Sequence, residues 1–199
     1  MHKFGLNCLP QSTTMLNNQS LLKTVNQYIC NFPDEKDCLL DLINMLKNDE
    51  SLIGKSNLIG HVTASGIILY KDNILLIFHN KLQKFIQPGG HVEISDQELW
   101  KAAQREVFEE TGMNTALHPW HQAHEMIPFN IDTHVIPFNQ KKNEPEHFHH
   151  DFTFIFVPTD IKINLQKEEV SDMKWLPVRS VFDEKLLSNV TKKLIMLEI

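Results

Sequence analysis

Gly89-Gly90-His91-Val92-Glu93 and, after a loop, Arg105-Glu106-Val107-Phe108-Glu109-Glu110-Thr111-Gly112 form the stretch on which the fold of this chain turns. Its second half is helical in pattern. Ser95-Asp96-Gln97-Glu98 fits a capping box and Gly112 stands where a helix ends on a glycine, which predicts a helix from about Asp96 to Thr111. At about 100° per residue, Glu106, Glu109 and Glu110 share an arc that overlaps the arc of Leu99, Ala103 and Val107. Three carboxylates therefore border the face that should be buried. Acid clusters usually lie on solvated helix faces. Here the apolar stripe abuts the acids and a glycine pair sits just upstream, so the buried alternative is favoured. Arg105, four residues before Glu109, offsets one charge and not three. Taking each of the others out of water costs several kcal/mol. A divalent cation that prefers oxygen ligands, Mg2+ or Mn2+, resolves the conflict and leaves room in its shell for substrate phosphates.

Outward from this stretch, His61–Tyr70 and Asn73–His79 are short runs rich in Ile and Val, joined by a Lys71-Asp72 hairpin signal. Further strands are expected near Ile131–Ile136, Phe148–Val157 and Met173–Leu176, with a strand-like segment around Trp120 and a helix over Glu184–Leu197. Before them, Leu16 to about Lys47 shows apolar residues three and four apart, interrupted at Pro33 and a candidate Asp34 cap, as in two antiparallel helices. The polar stretch around Gly54 and Gly60 reads as a linker. The expected organisation is an α+β protein, an α/β/α sandwich with a mixed β-sheet, in which residues 1–57 are a helical extension and 58–199 the main domain.

The chain has 199 residues, 42% of them hydrophobic, and a formal charge of −6, which argues against binding duplex nucleic acid through its phosphates. The N-terminus lacks the apolar core of a signal peptide, and no run is long enough to span a bilayer. Cys8, Cys30 and Cys38 are odd in number and lack metal-binding spacing. A reducing compartment, the cytoplasm, is the expected location. Only Arg105 and Arg179 of the 19 basic residues are arginine, so an arginine beside the acid cluster draws notice.

The motif Gly-Gly-His-Val-Glu followed by Arg105-Glu106-Val-x-Glu109-Glu110-x-Gly112-Met113 resembles the Nudix box, G-x5-E-x7-R-E-U-x-E-E-x-G-U with U aliphatic. Two positions depart from that pattern. The spacing from Gly90 to Arg105 is one residue longer, and the first glutamate is replaced by Asp96 or displaced to Glu98, two residues that a capping box also explains. The resemblance begins at about residue 58. It implies a Nudix sandwich in which Glu109, Glu110 and the Gly89 carbonyl bind Mg2+, Glu106 is a ligand or the base that activates water, and Arg105 orients the glutamates. The implied activity is Mg2+-dependent hydrolysis of a nucleoside diphosphate linked to another group, or of a related small-molecule diphosphate. The implied alternative is a Nudix-homology domain that senses a nucleotide-sugar without cleaving it, against which the intact Arg105 and three glutamates argue. A prenyl diphosphate isomerase on the same fold is a second alternative, disfavoured because no cysteine follows Cys38. The N-terminal hairpin is expected to be structural, as the arm of a homodimer or as a lid.

Ten of the 11 histidines lie between His61 and His150. In Glu144-Pro-Glu-His147-Phe-His149-His150-Asp151, alternation places His147, His149 and Asp151 on one strand face and His150, Phe152, Phe154 and Phe156 on the other. An H-x-H-x-D face suits a metal or a phosphate. Together with His61-Val-Thr63-Ala64-Ser65 on the first strand, it also resembles a Nudix subgroup, which implies that His147 and His149 line the cleft. His79, at a strand end leading to the glycine loop, is a candidate phosphate contact. His91 is accounted for by the box, and His118, His121 and His124 are expected to be surface or packing residues. Glu169 is placed either to support a metal or in an exposed turn, and the loop Asn139–Glu146 to cover substrate.

Overall fold

Apolar side chains alternate along the longest strands, and that alternation sets the layers of the molecule. The computed structural model describes residues 15–48, 50–140, 143–160, 165, 170–181 and 187–199. Its strands are β1 (Gly60–Tyr70), β2 (Asn73–His79), β3 (Lys84–Ile86), β4 (Gly89–His91), β5 (Thr115–Leu117), β6 (Asn130–Ile136), β7 (His147–Pro158) and β8 (Val170–Pro177). The order β3-β2-β1-β7-β5 runs through the sheet, with β4 also paired to β1, β6 to β7 and β8 to β2. β1 and β7 pair in parallel at the centre and the other pairings are antiparallel, so the sheet is mixed. Both central strands are almost wholly buried over their apolar halves because helices cover both faces.

One face carries Val62, Ala64, Ile68, Leu75, Phe152, Phe154 and Phe156 into a core with the helices α1 (Asn18–Asn31), α2 (Leu40–Lys47) and α3 (Leu99–Thr111). The residues one step along, Ile67, Leu69, Ile74, Leu76 and Ile155, point to the other face, where α5 (Ser188–Met196) contributes Val190 and Leu194. The molecule is thus the expected α/β/α sandwich. The N-terminal helices share a core with α3. Asn18 at the start of α1 bonds the Asn48 and Glu50 carbonyls beyond the end of α2, as an antiparallel hairpin requires.

This hairpin also closes an edge. Among the described residues β6 pairs only with β7, and the outward N–H of Ile131 is taken by the Tyr28 hydroxyl at 3.2 Å, which blunts a strand edge that would otherwise offer free donors. Tyr28 in turn bonds Glu35 and Lys193, and Lys193 Nζ reaches Glu35 at 2.7 Å and Asn130 Oδ1 at 3.1 Å. Helices from both chain ends are therefore tied together around β6.

Several local expectations change. α3 starts at Leu99 and its N-cap residue, Glu98, makes no capping bond, because Ser95 Oγ donates to Glu93 and Glu98 bonds Trp100 and Lys101 instead, while Asp96 pairs with Arg105. Asp34 caps nothing: Pro33–Leu39 winds as a 3-10 helix and α2 starts only at Leu40. The segment around Trp120 is a short helix, α4 (Pro119–Ala123), since Pro119 presets the first turn and His118 Nδ1 accepts the Trp120 N–H at 3.2 Å. Glu169, Cys8 and the start of the expected last helix lie outside the described residues. Cys30 and Cys38 are exposed free thiols, and no described helix is long and apolar enough to cross a membrane.

Candidate active site

The polar halves of three adjacent strands build the floor of the site. On the face where β1 shows Ile67 and Leu69 to α5, the preceding alternate residues are His61, Thr63 and Ser65. β7 matches them with His147, His149, Asp151 and Thr153, and β6 adds Asn130, Asp132 and His134, in register with Thr153, Asp151 and His149. Helices cover the apolar half of this face. The polar half opens into a cleft of about 1230 Å³ that also takes in Gly89, Gly90, Arg105, Glu106, Glu109 and Glu110.

β4 and α3 form the acidic wall. Gly89 and Gly90 lie against Ser65 and Ala64 of β1, and both positions need glycine for lack of space. A Cβ on Gly89 would stand 2.7 Å from the Ser65 Cα, and one on Gly90 would fall on the Glu106 carboxylate, 2.5 Å from its Cδ. Glu110, 4% exposed, accepts the Gly89 N–H at 2.9 Å, so helix and glycine strand are locked at the carboxylate. Arg105 gathers the rest: its guanidinium contacts Asp96 at 2.9 Å, Glu106 at 2.7 Å, Glu109 at 3.3 Å and the His91 carbonyl at 3.0 Å. Three carboxylates thus crowd one guanidinium. Burial raises the Glu106 pKa, Arg105 opposes that rise, and Glu109 and Asp96 add to it. Such a carboxylate group is short of positive charge, and its oxygen donors suit a hard divalent cation.

His79, His147 and His149 all line the cleft. His79 Nδ1 accepts the Leu82 N–H at 3.2 Å, which fixes its ring at the rim. His147 and His149 sit side by side on the floor with their Nε2 atoms 3.2 Å apart. Asp151 points the same way but is occupied by the hydroxyls of Thr63, Ser65 and Thr153; burial raises its pKa and those hydroxyls resist the rise. His150 faces the opposite layer and bonds Thr133 Oγ1 at 3.0 Å.

Reading the sequence alone missed three members of the histidine group. His61 stacks on His147 with ring centres 4.9 Å apart and lies 4.6 Å from His149, His91 is 5.2 Å from His149, and His134 is 5.8 Å from it. The alternation H-x-T-x-S on β1 was legible, but its alignment opposite H-x-H-x-D rests on the parallel register His61↔His149. Burial, and then repulsion from its histidine neighbours, push the His149 pKa down to about 2, so this ring is neutral at physiological pH. Hydrogen bonding to Asp132 raises that of His134. His121, by contrast, is a core residue. It is fully buried, with Nδ1 on the Ile127 carbonyl at 2.8 Å and Nε2 accepting the Ile155 N–H at 2.9 Å.

Comparison with known proteins agrees with this geometry. Residues 60–197 match the family model for the NUDIX domain. A protein of Lactococcus lactis subsp. cremoris described as "Probable DHNTP pyrophosphohydrolase" is 27% identical over 157 residues, covering 78% of this chain and 86% of its own length. A NUDIX-family hydrolase of Clostridium perfringens, solved by crystallography, superposes with a TM-score of 0.51 at 25% identity, covering 69% of this chain and 97% of that one. The sheet, the glutamate helix seated on its glycine strand and the extent of the family match together place this chain in the Nudix hydrolase family.

Proposed function

We propose that this protein is a Mg2+-dependent pyrophosphohydrolase that cleaves a nucleoside diphosphate linked to another group, or a related small-molecule diphosphate. The observation that carries this reading is the convergence of Asp96, Glu106 and Glu109 on the single guanidinium of Arg105, with Glu110 held on the Gly89 N–H, at the wall of a cleft large enough for a nucleotide. Glu106, Glu109, Glu110 and the Gly89 carbonyl would hold the cation, for which Mn2+ is an acceptable substitute. When bound, the cation lowers the pKa of a water nucleophile and neutralises charge on phosphate oxygens.

The chain's own groups supply the positioning on which phosphoryl transfer depends. Arg105 is a positioning residue: it holds Glu106 and Glu109 in one orientation and ties them to the His91 carbonyl on β4. Glu110 is held by the Gly89 N–H, so loop and helix cannot drift apart. Glu106, whose pKa burial raises, is suited to take a proton from the attacking water if it does not serve as a ligand. His79 at the rim and His147 and His149 on the floor face the space a phosphate chain would occupy. The Lactococcus relative's description makes DHNTP one substrate to test, beside nucleotide sugars, dinucleoside polyphosphates and nucleoside triphosphates. The protein is read as cytoplasmic.

The test is a Mg2+-dependent release assay over that set. At least one member should be cleaved with Mg2+ and not with chelator, and Glu106→Gln and Glu110→Gln should each lower turnover by several orders of magnitude while the fold persists. Near-wild-type turnover in Glu110→Gln overturns the carboxylate assignment. Thermal stabilisation by one member without any product would make the protein a sensor.

A further inference from the structure

We propose that His61, His147 and His149 form a second metal site in the cleft, one that takes a borderline transition cation of the Zn2+ class through three imidazole nitrogens. It is separate from the carboxylate group on α3 and differs from it in chemistry.

Three observations carry this. First, one ligand nitrogen from each of the three rings lies within 4.8 Å of the others. Two nitrogens bound to one tetrahedral Zn2+ at about 2.0–2.1 Å lie about 3.3 Å apart, and the Nε2 atoms of His147 and His149 are already 3.2 Å apart. His61 has only to close the remaining gap. Second, the outer nitrogens are committed. His147 Nδ1 is 2.8 Å from the Pro145 carbonyl and His61 Nδ1 3.3 Å from the Asn57 carbonyl, so each donates there and keeps an Nε2 lone pair for an acceptor. A carbonyl holding the far nitrogen is how metal-binding imidazoles are oriented. Third, His61 Nε2 is buried and finds no hydrogen-bond partner among the described residues, in a residue only 3% exposed. A buried polar atom left so needs an account. A proton on His149 Nε2 can satisfy the lone pair of His147, but it leaves that of His61 unmet. One cation satisfies all three.

The donor set selects the ion. Three neutral imidazoles suit Zn2+ and its neighbours and not Mg2+, which demands oxygen. Three protein ligands leave a fourth position open, as in zinc sites that bind a substrate or water. His147 and His149 line the cleft, so that position is on the cleft side, where a phosphate oxygen can enter.

The test uses the full chain, stripped by chelator, equilibrated with Zn2+ in excess Mg2+, desalted and analysed for metal. One Zn2+ per chain should remain in the wild type and in Glu110→Gln, and it should be lost in His61→Ala and His149→Ala. Retention by both histidine variants, loss in Glu110→Gln, or an empty wild type each overturns the site. Should the variants fail to fold, histidine 15N spectra of the wild type decide: Zn2+ should move three Nε2 resonances and leave His121 unchanged, and no shift refutes the proposal. The outcome is independent of the hydrolase reading, because zinc counting needs no turnover and Glu110→Gln removes activity without removing zinc.

Discussion

Acid should destabilise this protein through a histidine that takes no part in the site. His121 is fully buried in the layer under β7, between the Ile127 carbonyl and the Ile155 N–H. Its Nε2 must stay unprotonated to accept the Ile155 N–H. Burial, helped by the nearby His118 and His124 and opposed by the Ile127 carbonyl, pushes its pKa from the ordinary 6.5 down to about 4. The unfolded chain therefore binds this proton first. The stability His121 contributes is complete above about pH 6.5 and is lost as pH falls toward about 4. At about 1.4 kcal/mol per pH unit, that window corresponds to about 3 kcal/mol in all, and to about 2 kcal/mol between pH 7 and pH 4.5. Other groups titrate over the same range, so the assay must isolate this one. Urea unfolding of wild type and of His121→Phe at pH 7 and pH 4.5 does so, since every other group is common to both. The variant is less stable at pH 7, because it orphans two backbone groups at a cost of about 1–3 kcal/mol each. It should lose about 2 kcal/mol less than the wild type on acidification. Equal losses in the two proteins would show that His121 is protonated in the folded state and refute the reasoning.

Gly90→Ala places a methyl on the Glu106 carboxylate. Displacing that group by about an ångström should cost on the order of 100-fold in kcat with a nearly unchanged melting temperature, and a wild-type kcat would contradict the close approach. Lys193→Met leaves the Glu35 carboxylate and Asn130 without their partner at the β6 edge. It should destabilise by about 3 kcal/mol, and adding Glu35→Gln should restore part of that; strict additivity in urea unfolding of the four proteins would show that the pair is not coupled.

How much could be read without coordinates depended on how local each feature was. The sandwich, the hairpin between β1 and β2, the alternation of β7 and the end of α3 at Gly112 (φ 67°) follow from periodicity and turn chemistry within a few residues. Errors arose where a local signal had a competitor. Ser95-Asp96-Gln97-Glu98 has the spacing of a capping box, but Ser95 Oγ donates to Glu93 and the Glu98 carboxylate is taken by Lys101 and Trp100, and a charge-assisted bond outweighs a neutral cap. The segment around Trp120 carries no strong period of its own, and Pro119 with His118 settles it as helix.

By itself the sequence determined the three glutamates, the arginine just before them and the glycine pair, because these lie on one helix and the short segment ahead of it and their spacing is set by the backbone. Only the tertiary structure decided that Glu110 is buried on Gly89, that Glu109 stays at the surface, and that His61 meets His147 and His149. The last of these joins residues more than eighty positions apart through the parallel register of β1 and β7. A strand's own pattern says which side chains share a face but not which neighbour they face, since register is settled by packing across the whole sheet.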